Sequence, residues 1–552
     1  MNKVVTSKMN FEDLKKRIRG DVHVNDDVVE EYSTDASLFK VRPEVVVFPK
    51  DAEDIKTAVN YAKENGASVT ARAAGTDMSG GPLSESIVLG FTKYMNHMEV
   101  DPDNNSAITQ PGVYYRDFEE ETLKHELIMP SYPASRSIAA MGGIVNNNSG
   151  GEKTLRHGKT EDYVKEVKMV LADGNEYAFH KLNKEELEAK KKQEDFEGEV
   201  YRKMHELLEN NYDKIKIAKP DVTKNSAGYK LWDVWDKEKG VFDMAQIFVG
   251  AQGTLGIMTE AKMKLIDPED FTKLAVIFLN DVDEIPQLVN AITPLEPEAL
   301  EMFDDETLKL ALKFFPGIAK KVPGENLISL LWKFLPEGVM VLKNGLRLPK
   351  IVVLAQFAEE KEEDAEYKLN KLAEIEAPFN SNMRLVHTEQ EAEKYWVIRR
   401  QSFALLRSHV KDKRTAPFID DIVVKPEHLP EVMPKVHKIL EEYGIKETIA
   451  GHAGDGNFHI IPLMDLSKEE EKAKIPEVSD KIYDLVLKYK GSITAEHNDG
   501  LIRSPYLKQM YGEDIYKLFE DTKNIFDPNN IFNPGKKVNS DLDYAIEHID
   551  HQ

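Results

Sequence analysis

Two histidines, His452 and His459, flank the run Gly454-Asp455-Gly456-Asn457. Such a run predicts a tight hairpin turn, whose two strands would bring both imidazoles to one edge of a sheet. Glu496 follows further along the chain in AEHNDG, and two imidazoles with a carboxylate are a plausible ligand set for a divalent metal. His497 would stay available for proton transfer, because neighbouring residues of an extended segment point in opposite directions. A histidine beside glycine can also be an ordinary turn residue, but three such groups favour a site.

Composition limits the possible folds and partners. The chain has 552 residues, of which 41% are hydrophobic, and this length predicts about two to four domains. The 73 lysines and arginines against 97 aspartates and glutamates give a net charge of -24, so we expect no nucleic-acid partner. Cysteine is absent, which excludes disulfides, thiolate zinc sites, iron–sulfur clusters and cysteinyl flavin links within this polypeptide.

The sequence gives no sign of export or of a membrane span. Lysine and arginine interrupt the N-terminal segment up to Val22, so it has no apolar run of signal-peptide length. The most apolar window, Leu327 to Leu335, is broken by Lys333 and closed by Pro336. It is far shorter than the roughly twenty residues of a membrane-spanning helix. We expect a cytoplasmic protein.

The first part of the chain predicts a strand, a helix and a second strand that lead into a glycine-rich loop. Arg42 to Pro49 has a β-branched strand pattern, Asp51 is a suitable helix cap, and Ala67 to Arg72 resumes a strand pattern. The loop Ala73 to Gly81 follows. We interpret this order as a βαβ unit that opens onto a cradle of backbone groups. Further strands are predicted at Ser86 to Leu89 and Ser106 to Thr109.

Two more glycine clusters occur at Met141 to Gly151 and at Gly250 to Ile257. The first of these has four glycines and three asparagines, and we predict that it forms neither a helix nor a regular strand. Backbone N–H groups exposed in such loops can hold phosphate. A single cluster could be a plain surface loop, but three clusters favour a binding function.

The rest of the chain divides into an insertion, a second domain and a tail. Asn183 to Val200 is highly charged and predicts a solvated surface helix without chemistry. From Phe271 onward, apolar strands alternate with amphipathic helices, the pattern of a separate α+β domain. Predicted elements are strands at Ile351 and Asp420 and a helix at Leu429 to Tyr443. Asn524 to Val538 predicts a series of turns.

Six motifs occur in a characteristic order: RAAGTDMSG, PASRS with GGIVNNNSGG, GAQGTLGI, GHAGDGNFH, AEHNDG and IFNPGK. In them the chain, from Arg42 to Val538, resembles the FAD-dependent 2-hydroxy acid dehydrogenases of the vanillyl-alcohol oxidase type. That group includes D-lactate, glycolate and D-2-hydroxyglutarate dehydrogenases. The resemblance implies an α+β fold with an FAD-binding domain of the PCMH type at residues 1–268, with its core at about 40–180 and a surface insertion at about 183–240. A substrate domain with an antiparallel sheet would follow at 269–495, and residues 496–552 would complete the FAD and active sites.

The same resemblance implies which residues bind FAD. They are Arg72, Ala74, Gly75, Thr76, Asp77, Ser79 and Gly80 in the first loop, Pro133, Ser135, Gly142, Gly143, Asn147 and Gly150 in the second, Gly253, Thr254, Gly256 and Ile257 in the third, and Asn533. Relatives with covalent flavin often have histidine where this chain has Asp77. We therefore expect noncovalent FAD.

The resemblance further implies the chemistry. His452, His459 and Glu496 would bind a divalent ion, zinc in the first place and manganese or iron as alternatives. The ion would polarise the 2-hydroxyl, His497 would accept its proton, and the C2 hydride would pass to flavin N5. The substrate would be held by Arg399, with Arg400 as the alternative clamp for its carboxylate and Asn457 as a further contact.

Three positions depart from the family pattern, namely Gln252, Ile461 and Asn498. In the hydroxyglutarate branch a polar residue commonly stands where this chain has Ile461, and a second substrate carboxylate would lose that partner. This favours D-lactate or glycolate, with D-2-hydroxyglutarate as the alternative. Rival readings of another class are a metallohydrolase, which would leave the glycine clusters unexplained, and a flavin-binding protein without turnover.

The segment from Lys309 to Lys350 is unusually basic for this acidic chain. It carries eight basic residues but only Glu325 and Glu337 on the acidic side, with aromatic residues interleaved. One hypothesis is that it docks on anionic lipid at the inner face of the membrane, or on an acidic electron acceptor. The alternative is a packed insertion whose lysines face water. Without cysteines, electrons are expected to leave to a separate quinone, electron-transfer flavoprotein or iron–sulfur protein.

Overall fold

The computed structural model describes residues 11–305, 307–309, 348–409 and 413–550, without the side chains of 389 and 401–409. The strands of these residues form three sheets. The first has the order β1-β2-β4-β3, and its strands are Asp21–His23, Val45–Phe48, Val69–Arg72 and Ile87–Gly90 for β1 to β4.

The predicted strand, helix and second strand are confirmed in this sheet. Strand β2 is buried at every position, as expected where both faces of a parallel sheet are covered. The helix Ala52–Asn65 follows, because the Asp51 side chain accepts hydrogen bonds from the first-turn backbone and Gly66 ends the helix at φ 64. Strands β2 and β3 both run parallel to β4, which lies between them.

The second sheet has seven strands in the order β5-β6-β11-β7-β8-β10-β9. These are Met98–Asp101, Ser106–Thr109, Val164–Val170, Glu176–Leu182, Trp235–Asp236, Val241–Asp243 and Ile257–Lys264 for β5 to β11. The α-helices before residue 265 are Phe11–Arg17, Asp27–Glu31, Ala52–Asn65, Tyr115–Leu123, Met141–Asn147, Thr154–His157, Lys184–Lys191, Phe196–Asn210, Tyr212–Ala218, Leu231–Val234 and Ala245–Phe248.

The third sheet is antiparallel, with the order β15-β12-β14-β13-β18-β19-β16 and with β17 paired to β19. Its strands are Phe271–Leu279, Ala299–Asp304, Ile351–Glu359, Ser381–Val386, Arg414–Thr415, Ile422–Val423, Lys446–His452 and Asn457–Met464 for β12 to β19. The described α-helices after residue 270 include Ile285–Ile292, Glu362–Glu376, Glu389–His409, Leu429–Glu442, Glu469–Lys472, Lys474–Lys488, Gly500–Arg503, Leu507–Phe526 and Leu542–Glu547. The strands predicted at Ile351 and Asp420 and the helix from Leu429 are thereby confirmed.

The C-terminal tail returns to the first sheet. The Val69 N–H donates to the Ile531 carbonyl, and the Asn533 N–H donates to the Val69 carbonyl. Phe532 between them is fully buried. The long helix Leu507–Phe526 contributes Phe519 and other apolar residues to the core beneath the second sheet. The tail therefore connects the third sheet to both N-terminal sheets.

The prediction that Met141 to Gly151 contains no helix is wrong. A short helix spans Met141–Asn147 and ends at Asn148, whose φ is 51. Its apolar residues Met141, Ile144 and Val145 are buried on one side, so packing outweighs the low helix propensity of glycine. Gly142 allows the close approach, because a Cβ there would lie 2.5 Å from the Cβ of Pro111.

The insertion is also less superficial than predicted. Its charged segment forms two helices, Lys184–Lys191 and Phe196–Asn210, and the second buries Val200, Tyr201 and Met204. Further along the insertion, Lys224, Ser226 and Lys230 are buried as well. The surface location predicted for about 183–240 therefore holds only for part of it.

The basic segment of Lys309 to Lys350 falls almost wholly on residues 310–347, which lie outside the described residues. At its two ends, the ammonium groups of Lys309 and Lys350 lie 3.1 Å and 3.3 Å from Oδ2 of Asp305. Docking through this segment stays a prediction.

Within the described part of the chain, no helix combines the length and apolar character needed to cross a bilayer.

Candidate active site

The predicted histidine hairpin is present. Strands β18 and β19 pair in antiparallel register up to His452 opposite Asn457, and Gly456 makes the turn at φ 70. The imidazoles of His452 and His459 lie with their centroids 5.2 Å apart. Their Nε2 atoms lie 3.3 Å and 4.0 Å from Oε2 of Glu496. The three residues expected to bind a metal therefore converge.

His497 lies with this group and does not point away from Glu496. Its ring stacks on that of His459 at 5.0 Å with an interplanar angle of 17°. The alternation expected of an extended segment fails here because residues 495–497 form a bend. Ligand atoms of Asp421, His459, Glu496 and His497 all lie within 4.8 Å of one another. Imidazole nitrogens with carboxylate oxygens suit zinc and similar divalent ions, so the chemistry of these donors fits the implied metal. The group holds His459 and Glu496 of the predicted ligands together with Asp421 and His497, and it does not include His452.

Two neighbouring aspartates, which the sequence reasoning missed, organise this cluster. Asp421 accepts hydrogen bonds from the backbone N–H groups of Glu496 and His497, at 2.8 Å and 2.7 Å. Its φ of 78 lies in the left-handed region, which aspartate tolerates better than most residues. Asp420 lies beside the rings of His459 and His497. The available signal was an acidic pair within the otherwise apolar run PFIDDIVV.

Burial and the two aspartates act differently on the two imidazoles. Burial opposes the charged form of His497, but Asp421 and Asp420 raise its pKa to about 9. Burial lowers the pKa of His459 despite the nearby Asp420. For Asp420, burial opposes ionisation, yet His497 and His459 hold its pKa well below the usual value. Asp420 therefore stays ionised beside the Nδ1 atoms of both rings.

The predicted substrate clamp Arg399 has a carboxylate partner of its own. Its Nε and Nη2 lie 3.2 Å and 3.1 Å from Oε2 of Glu301. The other oxygen of Glu301 lies 2.5 Å from Nδ1 of His452. Burial opposes the charge on His452, but Glu301 and Glu496 raise its pKa to about 9. Arg399 is therefore connected to His452, one of the predicted metal ligands, through one carboxylate, which the sequence did not reveal.

Arg400, the alternative clamp, forms a bidentate pair with Glu152, with Nε–Oε2 and Nη2–Oε1 distances of 3.0 Å and 2.6 Å. Burial opposes ionisation of Glu152, but Arg400 lowers its pKa to about 2. Glu152 directly follows the second glycine cluster.

Asn457, expected at the substrate, donates its amide hydrogens to Oδ1 of Asp421 and to the carbonyl of Ile422. The Asn457 side chain therefore helps to hold strand β19 against the neighbouring strand β17.

Lys224 is a second feature that the sequence reasoning missed. It is fully buried, and its ammonium lies 2.6 Å from Oε1 of Glu496 and 3.0 Å from Oδ2 of Asp455. Burial opposes ionisation of Glu496, whereas His452 and Lys224 hold its pKa well below the usual value. One carboxylate oxygen of Glu496 therefore faces the ammonium of Lys224, and the other faces the imidazoles of His452 and His459.

The three glycine clusters also converge. A Cβ on Gly143 would lie 3.6 Å from the Cβ of Ala73, and one on Gly253 would lie 3.5 Å from that of Ala71. Gln252 bridges the clusters, since its N–H donates to the Asn146 carbonyl and its side-chain amide donates to Ser79 Oγ. The close approach of three glycine-bearing loops makes a cradle in which backbone groups can meet an anion.

Asn533, predicted to contact the cofactor, ties the tail to this cradle. Its side-chain amide donates to the carbonyls of Gly81 and Gln252, at 2.9 Å and 2.8 Å. Asp77 shapes the first loop, where its Oδ1 accepts from the N–H groups of Ser79 and Gly81. The Asp77 side chain is therefore hydrogen-bonded to the backbone of its own loop.

Several other predicted cofactor residues have structural contacts in this cradle. Arg72 donates to the carbonyls of Tyr32 and Thr34. Thr254 Oγ1 lies 2.7 Å from the Tyr229 hydroxyl. Partly or wholly buried positions of the predicted set are Ala74, Gly75, Thr76, Ser79, Gly80, Gly142, Gly143, Gly150, Gly253, Thr254, Gly256 and Ile257. Pro133 and Ser135 offer their carbonyls to the turn that follows them.

The cradle meets the histidine cluster at Asn147 and Gly150. The Asn147 side-chain amide donates to the Glu496 carbonyl at 2.8 Å, and its Oδ1 is buried without a hydrogen-bond partner in the protein. A Cβ on Gly150 would lie 3.1 Å from Oε1 of Glu496. A buried oxygen without a partner, such as Oδ1 of Asn147, can accept a hydrogen bond from a bound polar group. The glycines beside it leave room for such a group, so the cradle suits the implied flavin.

Comparison with known proteins gives a direct match to these two regions. Residues 43–179 match the family of FAD binding domains, and residues 269–537 match the C-terminal domain of FAD linked oxidases. The chain joins an FAD-binding domain to an FAD-linked oxidase C-terminal domain. The first two glycine loops of the cradle lie within the first match, and the histidine hairpin with Glu496 lies within the second, while the third loop, 250–257, lies between the two.

Three relatives are similar to this chain along most of its length. The D-2-hydroxyglutarate dehydrogenase of Pseudomonas putida is 26% identical over 91% of this chain, and the chain spans 49% of that protein, about half its length. Glycolate oxidase subunit GlcD of Bacillus subtilis is 26% identical, over 92% of both chains. The D-lactate dehydrogenase of Archaeoglobus fulgidus is 28% identical over 90% of this chain and 91% of its own.

The same fold occurs in solved structures. A 4-ethylphenol oxidase from Gulosibacter chungangensis, solved with isoeugenol, superposes with a TM-score of 0.67. It is 15% identical and covers 95% of this chain and 96% of its own. At that identity the likeness concerns the fold alone.

Proposed function

We propose that this protein is an FAD-dependent dehydrogenase that oxidises a small D-2-hydroxy acid to the 2-oxo acid. The observation that carries the proposal is the contact between the glycine cradle and the histidine cluster, made by Asn147 and Gly150 against Glu496. It brings a region suited to flavin beside a region suited to a divalent cation. A hydride acceptor beside a Lewis acid suits the oxidation of a 2-hydroxy acid at C2.

The residues that would hold the cation are His452, His459 and Glu496. Both histidines direct Nε2 toward Oε2 of Glu496, and Glu301 and Asp420 approach the Nδ1 atoms of the two imidazoles. A bound cation would supply a Lewis acid for the substrate hydroxyl, with zinc favoured and manganese or iron as alternatives. The second contact of each imidazole fixes its ring orientation, as is usual for metal-binding histidines.

His497 is the proposed base. It can accept the hydroxyl proton only in its neutral form, and the surrounding aspartates favour the charged form. A nearby divalent cation opposes that charge and lowers the pKa toward neutrality.

Arg399 is the proposed contact for the substrate carboxylate, because it lies beside Glu301 at the same cluster. Arg400 is the alternative. Both arginines present two donors to a carboxylate, Arg399 to Glu301 and Arg400 to Glu152. What favours Arg399 is that Glu301 also contacts His452.

D-lactate and glycolate are the favoured substrates. Residues alternate along β19, so Ile461 lies on the same face as His459. A second carboxylate near this apolar side chain would lack a hydrogen-bonding partner there. The specific observation for the alternative, D-2-hydroxyglutarate, is the similarity to dehydrogenases of that name.

FAD is proposed to bind noncovalently, because Asp77 is occupied by the loop backbone and cysteine is absent. When bound, it supplies the hydride acceptor. The reduced cofactor is proposed to be reoxidised by a separate quinone, electron-transfer flavoprotein or iron–sulfur protein. Acid precipitation tests the attachment: flavin should appear in the supernatant, and flavin retained on the pellet would contradict noncovalent binding.

The proposal is tested by mixing the purified flavoprotein anaerobically with D- and L-lactate, glycolate and D-2-hydroxyglutarate. Bleaching of the flavin absorbance by D-lactate or glycolate is the expected result. Bleaching by D-2-hydroxyglutarate alone would favour the alternative substrate. Bound flavin that none of the acids bleaches would indicate a binding protein without turnover, and protein without flavin would favour a metallohydrolase.

A further inference from the structure

One largely buried ion pair joins the two matched regions of the chain. Arg400 donates from Nε and Nη2 to the two oxygens of Glu152, at 3.0 Å and 2.6 Å. Only 20% of the Arg400 side chain and 9% of the Glu152 side chain are exposed. A forked pair of this kind is strong and fixes the orientation of both groups. Glu152 therefore meets the guanidinium in the way that a bound carboxylate would.

Glu152 stands next to the contact between the glycine cradle and the histidine cluster. It follows two positions after Gly150, where an added Cβ would lie 3.1 Å from Oε1 of Glu496. The hydroxyl of Tyr132 donates to Oε1 of Glu152 at 3.3 Å, and Tyr132 directly precedes Pro133 of the second loop. A carboxylate of the FAD-binding region is thereby held at the edge of the candidate site.

Arg400 belongs to the other side of the same site. It directly follows Arg399, the proposed clamp, in the helix Glu389–His409, and Arg399 contacts Glu301. Consecutive residues of a helix are about 100° apart around its axis, so Arg400 leaves the helix in another direction and reaches the FAD-binding region. Its Nη1 lies 3.5 Å from Oε1 of Glu393. Two carboxylates of the protein therefore already contact this guanidinium.

A second carboxylate on the substrate would find this cation occupied. Glu152 accepts from both Nε and Nη2 of Arg400, and another anion brought to the same place would be repelled by Glu152 at short range. The Glu152 side chain also has the same CH2–CH2–carboxylate arrangement as the distal arm of 2-hydroxyglutarate. A protein discriminates between two ligands when the charge of one of them is left unpaired. Acids with a single carboxylate avoid that cost.

We propose that Glu152 is a specificity-determining residue, whose carboxylate occupies Arg400 and so excludes 2-hydroxy acids that carry a second carboxylate. This inference rests on the proposed function, which supplies the reaction and assigns the first carboxylate to Arg399. It adds a charged cause to the apolar one at Ile461. It also gives Arg400 a role apart from the clamp.

Glu152→Ala tests the proposal, because it frees the two forked donors of Arg400. Flavin reduction is measured anaerobically with D-2-hydroxyglutarate and with D-lactate, and the two kcat/KM values are expressed as a ratio. The folded fraction of the protein cancels in this ratio. We expect the ratio to rise about tenfold or more over wild type, mainly through a lower KM for D-2-hydroxyglutarate. An unchanged ratio would overturn the proposal.

Glu152→Asp is the matched control, since it keeps the negative charge beside Arg400. Its ratio should stay near that of wild type, and a rise as large as in Glu152→Ala would show that the size of the side chain decides and not its charge. The double variant Glu152→Ala with Arg400→Met should return to the wild-type ratio. A double variant that keeps the raised ratio would exclude Arg400 as the cation that receives the second carboxylate.

Glu152→Gln covers the case in which Glu152→Ala does not fold. It nearly preserves the volume and removes the charge, so the ratio should rise in the same direction, and a wild-type ratio in this folded variant would contradict the proposal. Failure of the proposed function looks different. In that case no 2-hydroxy acid reduces the flavin of the wild-type protein, whereas failure of this inference leaves reduction by D-lactate intact and the ratio unmoved.

Discussion

Lys224 lies 2.6 Å from Oε1 of Glu496, although 272 positions separate the two residues. The ammonium comes from the insertion between strands β8 and β9 of the second sheet, and the carboxylate comes from the segment that follows strand β19 of the third. Asp455 shares the same ammonium at 3.0 Å. A single buried cation therefore neutralises carboxylates on two sides of the proposed metal site.

Lys224→Met should destabilise the fold strongly. The substitution leaves Asp455 and Glu496 buried without their cation, and breaking a buried pair in this way costs about 3–5 kcal/mol. Denaturant unfolding monitored by circular dichroism measures the loss. Lys239→Met is the control, because Lys239 is 80% exposed in its pair with Asp236, and no measurable change is expected. Equal stability of the two variants would contradict the importance of the buried cation.

Glu152 predicts a specific dependence of stability on pH. Its pKa is lowered from 4.5 to about 2 in the folded protein, so its stabilising contribution is present above pH 4.5 and is lost as the pH falls toward 2. This shift corresponds to about 3 kcal/mol. Glu152→Gln should therefore be less stable than wild type at pH 6, and the difference should shrink on acidification. A difference independent of pH between 6 and 3 would contradict the prediction.

Gly142 and Gly143 form a matched pair in the helix Met141–Asn147. An added Cβ at Gly142 would meet the Cβ and backbone of Pro111 at 2.5 Å and 2.8 Å, whereas at Gly143 its nearest contact is 3.6 Å. Gly142→Ala should lower the free energy of unfolding by about 1–3 kcal/mol. Gly143→Ala should not lower it, because alanine favours the helix. Thermal melting of both variants with excess FAD would reveal the contrast, and equal melting temperatures would refute it.

The rate of flavin reduction should rise with pH. His497 accepts a proton only when neutral, and its pKa without metal is about 9, so the rate increases as the pH approaches that value. A bound cation moves the rise to lower pH. Stopped-flow reduction by D-lactate from pH 6 to 10 gives the profile. His497→Asn should be slow at every pH, and a variant that keeps the wild-type profile would exclude His497 as the base.

The sequence was informative where structure depends on neighbours in the chain. The turn between His452 and His459 and the capped helix after Asp51 are local, and both were predicted correctly. The helix Met141–Asn147 was missed because its stability comes from burial of Ile144 and Val145, which overrides the poor propensity of glycine.

The contacts of the site with distant residues could not be predicted. Lys224, Glu301 and Asp420 reach the histidines only through folding, and no spacing in the sequence connects them. The bend at 495–497 likewise placed His497 beside His459, where alternation predicted separation. Asp420 and Asp421 were visible in the sequence as two acidic residues within an apolar run. Their roles could not be predicted, because they depend on the backbone turn at Asp421.

The central claim is that a divalent cation held by His452, His459 and Glu496 works beside the flavin. The most direct test is anaerobic flavin reduction by D-lactate before metal removal, after removal with a chelator, and after zinc is returned. We predict rapid reduction, loss of reduction with the flavin still bound, and recovery with zinc. Full reduction by protein shown to contain no metal would contradict the claim.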